Sequence, residues 1–186
     1  MDCYYEMDDG TDFEFKGWEK IYDETFYSYF TLLKHRTCRL DNLEVDSFDY
    51  LTYRDMCLVM IRALLIESER LKENYTLQNF LIKHNRADLK LQVDNYLNQN
   101  INSMLTLRKA LKISVDKFIA HNDTLVKEYP SGEKQFCTED FALRYLFLSD
   151  ISRADYPFSI SKITNFIGNI LNQIPENEII EPNSIA

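Results

Sequence analysis

Residues 18–129 open with WEKIYDETFYSYFTLLKHRTCRL (18–40), end with VDKFIAHNDTLVKEY (115–129) and contain neither glycine nor proline. The flanking breakers are Gly17 and Pro130, and the chain of 186 residues holds only four glycines and four prolines. These two residue types end helices and form tight turns. A β-sandwich or barrel needs many such turns, so the sequence predicts an all-α fold.

Apolar residues recur at spacings of three and four along most of the chain, which is the period of a helix with one buried face. Hydroxyl-bearing or acidic residues precede several of these segments and predict their N-caps, among them Ser47, Thr76 and Ser159. We therefore expect an up-down helical bundle with one long central helix. The predicted helices are 18–40, 47–73, 77–83, 87–121, 139–148 and 160–174, and an exposed loop is expected at 127–137.

The helix predicted over 87–121 would be a rod of roughly 50 Å, which is longer than a compact domain requires. Two explanations remain open at this point. Either the helix is kinked near residues 98–102, or one of its flanks packs on a partner. The length of the chain fits one domain. We expect an acidic, poorly ordered N-terminal arm at 1–17, the helical domain at 18–175 and a disordered tail at 176–186.

Composition narrows the classes of function. The net charge of −9 argues against uniform binding to nucleic acid, although a local basic patch on an acidic body is compatible with it. The cysteines and histidines have no metal-ligand spacing, so we expect no metal and no small-molecule cofactor. There is no run of eighteen apolar residues and no signal peptide, so a cytoplasmic protein without a membrane span is predicted. Cys57 falls in an apolar stripe and is predicted to be core packing.

The end of the predicted long helix carries a candidate site. Lys117 and His121 are four residues apart and share a helix face, and the helix C-terminus favours a protonated imidazole. Cations beside a polarised histidine are suited to RNA cleavage, in which a proton is moved and a phosphate is stabilised. The alternative is a helix cap with a solvated face. The charged residues of this segment are Arg108, Lys109, Lys112, Asp116, Lys117 and Asp123.

Two other histidines, His35 and His84, lie at predicted helix ends among polar residues, where capping is the expected role. The aromatic residues of the first helix are typical of a core or a dimer surface.

The segment Asp116-Lys117-Phe118-Ile119-Ala120-His121-Asn122-Asp123 resembles the signature of HEPN domains, in particular the abortive-infection AbiU-type branch. In that branch a long helix ends in Arg-(Asn/Asp)-Lys-x-x-Ala-His-x-Asp. The resemblance extends loosely over residues 50–175: 74–81 is similar to the short helix that precedes the long one, and 159–174 to the terminal helix. About eight residues carry it specifically.

The resemblance implies a helical bundle that forms a homodimer, and active members of the family are metal-independent RNases. Their arginine and histidine, from both protomers, meet in a cleft at the dimer interface. In this chain His121 and Asp116 match the motif, but Val115 stands in the place of the arginine. A valine cannot provide a bidentate phosphate clamp. On this basis the catalytic candidates are His121, Asp116 and Lys117, and the candidates for RNA contact are Arg108, Lys109, Lys112, Asn122 and Asp123.

Three functions follow from the sequence. The first is a degenerate HEPN protein that binds RNA or a protein, such as a cognate antitoxin, in a toxin–antitoxin or phage-defence system. The second is a helical protein-interaction module without a nucleic-acid role. The third is an active endoribonuclease that uses His121 and a lysine in place of the missing arginine.

Overall fold

The computed structural model describes residues 3–6, 12–15, 18–45, 47–67, 74–103, 105–119, 126–136 and 147–175. Seven helices occur in these ranges, and the all-α prediction is confirmed. They are α1 (Trp18–Leu40), α2 (Phe48–Ile66), α3 (Leu77–Lys83), α4 (Ala87–Leu97), α5 (Leu107–Ile113), α6 (Leu148–Asp150) and α7 (Ile160–Leu171). Most of the predicted helix 139–148 and the tail 176–186 lie outside the described residues.

Side-chain caps begin four of the helices. The hydroxyls of Ser47, Thr76, Thr106 and Ser159 accept hydrogen bonds from backbone N–H groups in the first turns of α2, α3, α5 and α7. Each bond satisfies an N–H that has no partner within its own helix. The caps at Ser47, Thr76 and Ser159 confirm the sequence predictions. The prediction that α2 runs to residue 73 is wrong, because the helix ends at Ile66. Residues 68–73 are outside the described ranges.

The core lies between α1, α2 and α7, with α5 and the turn after it packed on α2. Phe26 of α1 stacks on Phe80 of α3 with ring centroids 4.5 Å apart. Cys57 is fully buried, as predicted, and its burial raises the pKa of the thiol to about 11. The largest fully buried side chains are Phe26, Phe80, Leu33, Leu58, Ile61, Leu64, Leu65, Leu77, Leu81, Leu89, Leu97 and Leu105.

The single long central helix predicted over 87–121 is wrong, because α4 and α5 are separate helices. α4 ends at Leu97, with Asn98 as its C-cap. The chain then makes a compact loop closed by hydrogen bonds from Ile101 N to Leu105 O and from Leu107 N to Gln99 O, both 2.9 Å. Asn and Ser side chains compete with the helical backbone for such bonds. Of the two explanations left open for this segment, the interruption near 98–102 is therefore the one observed.

Two short antiparallel hairpins accompany the helices. In the acidic N-terminal arm, β1 (Cys3–Glu6) pairs with β2 (Asp12–Phe15), which the sequence analysis did not predict. The segment predicted to be an exposed loop at 127–137 instead forms β3 (Val126–Glu128) paired with β4 (Lys134–Phe136). Gly132 turns this second hairpin with a φ of 79°, a conformation that glycine adopts without a steric penalty. Within the described part of the chain, no helix has both the length and the apolar character needed to cross a membrane.

Candidate nucleic-acid interface

Helix α5 presents a basic face next to the motif segment. Its sequence LRKALKI contains three cations and no acidic residue. Leu107, Ala110 and Leu111 are buried against the core, which turns Lys109 and Lys112 outward. Both lysines are exposed, and they are three residues apart, so they lie on one face of the helix. We call Lys109 and Lys112 the α5 lysine pair.

Arg108 is not equivalent to these two lysines. Its Nη2 lies 2.7 Å from Asp94 Oδ1 on α4, and the same carboxylate accepts a hydrogen bond from Lys90 Nζ at 2.9 Å. Each of the three side chains is a quarter to a third exposed. Arg108 therefore helps to join α5 to α4, and its charge is partly offset by Asp94. Of the predicted RNA contacts in α5, the lysine pair is the more exposed to solvent.

The chain continues from α5 into a π-helical turn, Ser114–Ile119, which contains the first four residues of the HEPN-like segment 116–123. In such a turn backbone bonds run from residue i to residue i+5, a rare geometry that is frequent at functional sites. Ser114 is fully buried and Val115 is 5 % exposed, so both face the core. The position that would hold the motif arginine is therefore a core position, not a solvent-facing one.

Asp116 emerges from this turn toward α2. Its Oδ1 lies 2.8 Å from Arg62 Nε, and Arg62 Nη1 lies 2.5 Å from Glu67 Oε2 at the end of α2. Burial alone lowers the pKa of Arg62, but the adjacent carboxylates of Asp116 and Glu67 outweigh it and raise that pKa above its ordinary value. The guanidinium therefore stays charged and is shared between two carboxylates. The cluster has a net negative charge and ties the motif turn to α2.

These observations place the predicted catalytic residues only in part. Asp116 and the backbone of Lys117 lie in the π-helical turn, directly after α5. His121, Asn122 and Asp123 lie outside the described residues. The predicted meeting of His121 with the lysines thus stays a prediction, whereas the proximity of Arg62 to Asp116 is new.

A second charged cluster joins α1 to α3. The carboxylate of Asp23 is 1 % exposed and lies 2.7 Å from Lys83 Nζ and 3.2 Å from His84 Nε2. Burial alone raises the pKa of Asp23, but hydrogen bonds from His84 and Lys83, with the charges of both, outweigh it and hold that pKa below its ordinary value. His84 also caps α3 through its backbone N–H, which confirms its predicted role.

The sequence contained a signal for this second cluster. Asp23 is three residues before Phe26 in the apolar stripe of α1, and a carboxylate in such a stripe requires a partner when it is buried. The cluster lies between α1 and α3 and lines neither of the two cavities described below. Its arrangement is that of a structural ion pair rather than a catalytic dyad.

Comparison with protein-family models, with characterised proteins and with solved structures gave no match.

Proposed function

We propose that the protein is a HEPN-like homodimer that binds RNA through the α5 lysine pair without cleaving it efficiently. The observation that carries the proposal is the exposure of Lys109 and Lys112 on a helix with no acidic residue, immediately before the motif turn. Two cations on one face suit the phosphates of a single strand or a hairpin. The chain as a whole has a charge of −9, so binding should be local to this face and strongly dependent on salt.

Cleavage should be inefficient because two positions near the motif turn could supply a guanidinium, and neither supplies an unengaged one. Position 115, where the motif has arginine, holds a valine that packs in the core. Arg62 reaches the turn from α2, but it is held by Asp116 and Glu67. Loss of one preorganised electrostatic stabiliser typically costs about 10²–10³ in rate. A role in a toxin–antitoxin or phage-defence system then rests on binding rather than on turnover.

The test uses purified wild-type protein, a labelled structured RNA and EDTA, with binding followed by mobility shift and integrity of the RNA by denaturing gel. We expect a shifted complex at low salt and intact RNA after prolonged incubation. Cleavage that is lost in His121→Ala would overturn the proposal in favour of an active RNase in which a lysine replaces the arginine. Absence of any complex at low salt would reject RNA binding altogether.

A second candidate function, a protein-interaction module, is favoured by a groove beside the same turn. This groove of about 410 Å³ lies between α1 and α2 and includes Met56, Val59 and Ile119. Val59 is 41 % exposed and lines this groove. Val59→Glu distinguishes the two candidates. It should prevent association with a protein partner, as measured by light scattering, and it should leave RNA binding unchanged.

A further inference from the structure

A second cavity is remote in sequence from the α5 lysine pair. It lies where the end of α1, the start of α2 and the segment from α6 to α7 meet, and its volume is about 650 Å³. Cavities of roughly 300–1,000 Å³ are typical of sites for small organic ligands. One part of its wall is apolar, formed by Leu40, Leu43, Val45 and Leu148.

The polar part of the wall is cationic. Arg54, Arg153 and Lys162 line the cavity, together with one carboxylate, that of Asp41. Arg54 is paired with Asp55, and Arg153 is paired with Asp150 and Asp155, so neighbouring carboxylates partly offset these two cations. The carboxylates that pair with Arg54 and Arg153 belong to residues outside the lining of the cavity.

The cations keep donors for a further ligand. Arg54 contacts Asp55 Oδ1 through Nε at 2.8 Å and through Nη2 at 2.7 Å, and a guanidinium has five N–H donors. Lys162 Nζ donates to the backbone oxygen of Asp155 at 3.2 Å, and an ammonium has three N–H donors. The cavity is thus equipped to accept an anion with several oxygen atoms.

Hydroxyl groups complete the lining. Ser149, Ser152, Ser159 and Ser161 all contribute to it. The Ser152 hydroxyl is buried and has no hydrogen-bond partner among the residues that the structure describes. A buried polar group without a partner is costly, and such a group in a cavity wall is a ready contact for a bound molecule. Ser161 Oγ donates to both oxygens of Asp41, at 2.8 and 3.0 Å, so this carboxylate already accepts from a hydroxyl.

From these features we propose that the cavity binds a small phosphate ester that carries free hydroxyls, of the mononucleotide class. The phosphate is held by Arg54 and Lys162, in charge-assisted hydrogen bonds. Asp41 accepts from a sugar hydroxyl, as it does from Ser161. The apolar wall covers the base. This site is independent of the RNA-binding face, since it shares no residue with it.

The proposal is tested by isothermal titration calorimetry with AMP, adenosine and inorganic phosphate on the full chain. We expect AMP to bind at least tenfold more tightly than either fragment, because only AMP engages both the cations and the remainder of the wall. No heat with millimolar AMP would overturn the proposal. Equal affinity for AMP and adenosine would show that the cations do not contribute to binding. Equal affinity for AMP and phosphate would show that the hydroxyl and apolar contacts do not contribute. Either equality overturns it.

Variants link the binding to this cavity. Lys162→Ala should weaken AMP binding by roughly tenfold or more. Ser152→Ala should also weaken it without lowering the melting temperature of the free protein, because its hydroxyl has no partner to lose. The matched control is Lys34→Ala, which removes an exposed lysine of α1 that does not line the cavity. If Lys34→Ala weakens AMP binding as much as Lys162→Ala does, the effect is one of overall charge and the assignment of the site is wrong.

Discussion

Replacing Asp23 by asparagine tests the buried cluster that joins α1 to α3. The Asp23 carboxylate is 1 % exposed, whereas the Lys83 side chain is 26 % exposed. Removing one partner of a buried ion pair costs roughly 3–5 kcal/mol. Since the Lys83 ammonium can regain some hydration, we expect the lower end of that range, about 3 kcal/mol. For a chain of this length that corresponds to a fall in melting temperature of roughly 6–12 °C.

The direction of the Asp23 pKa shift determines how the stability that Asp23 contributes changes with pH. The pKa of Asp23 is lowered in the folded protein, so the folded state binds its proton more weakly than the unfolded state does. The stability from Asp23 is therefore complete above the unfolded pKa of about 3.9 and is lost as the pH falls through the folded pKa. The gap in melting temperature between wild type and Asp23→Asn should be present at pH 7 and should narrow below about pH 4.

Thermal melts followed by circular dichroism measure both effects. The control is Asp88→Asn, which breaks an ion pair with Arg86 at an exposed aspartate and should lower the melting temperature by about 2 °C or less. If Asp23→Asn melts within that same margin of the wild type at pH 7, the cluster does not stabilise the fold as we infer. A gap that stays constant down to pH 3 would contradict the assigned pKa direction.

Three further predictions concern caps, the motif turn and the core. Ser47→Ala removes the cap of α2 and should cost about 1 kcal/mol in a urea or thermal unfolding measurement, with no loss if the cap is irrelevant. Val115→Arg should destabilise the fold by several kcal/mol without creating RNase activity, because the new charge would be buried, whereas Val59→Arg at an exposed site should be tolerated. A stable, cleaving Val115→Arg protein would refute this account of the turn. The Cys57 thiol, with its pKa raised to about 11, should resist a thiol reagent at pH 8 until the protein unfolds, while the exposed Cys38 should react at once.

The features that the sequence predicted well are local. Each hydroxyl cap, at Ser47, Thr76 and Ser159, involves only the cap residue and the three residues after it. The burial of Cys57 follows from the helical spacing of the apolar residues around it. The interruption between α4 and α5 was foreseen only as one alternative. Its reason is also local, because the Asn102 side chain accepts a hydrogen bond from Leu105 N and stabilises a non-helical loop.

The features that the sequence did not predict depend on contacts between distant residues. Arg62 meets Asp116 across 54 positions, and Asp23 meets His84 across 61, so no local pattern specifies either pair. A π-helical turn holds one more residue than an α-helical turn, and here that residue is accommodated against α2. The spacing of apolar residues in the sequence does not indicate such an insertion. For the candidate site, the exposure of Lys109 and Lys112 followed from the apolar stripe, whereas the engagement of Arg108 by Asp94 did not.

The central claim is that RNA is bound through the α5 lysine pair. The most direct test is the salt dependence of binding, measured by fluorescence anisotropy of a labelled RNA that remains intact in EDTA. Two phosphate contacts in each protomer predict a slope of about −1.4 per protomer in log affinity against log salt. Lys109→Ala/Lys112→Ala should remove that slope and most of the affinity, while Lys34→Ala should retain both. If the double variant binds with the slope and affinity of the wild type, the lysine pair is not the RNA-binding surface.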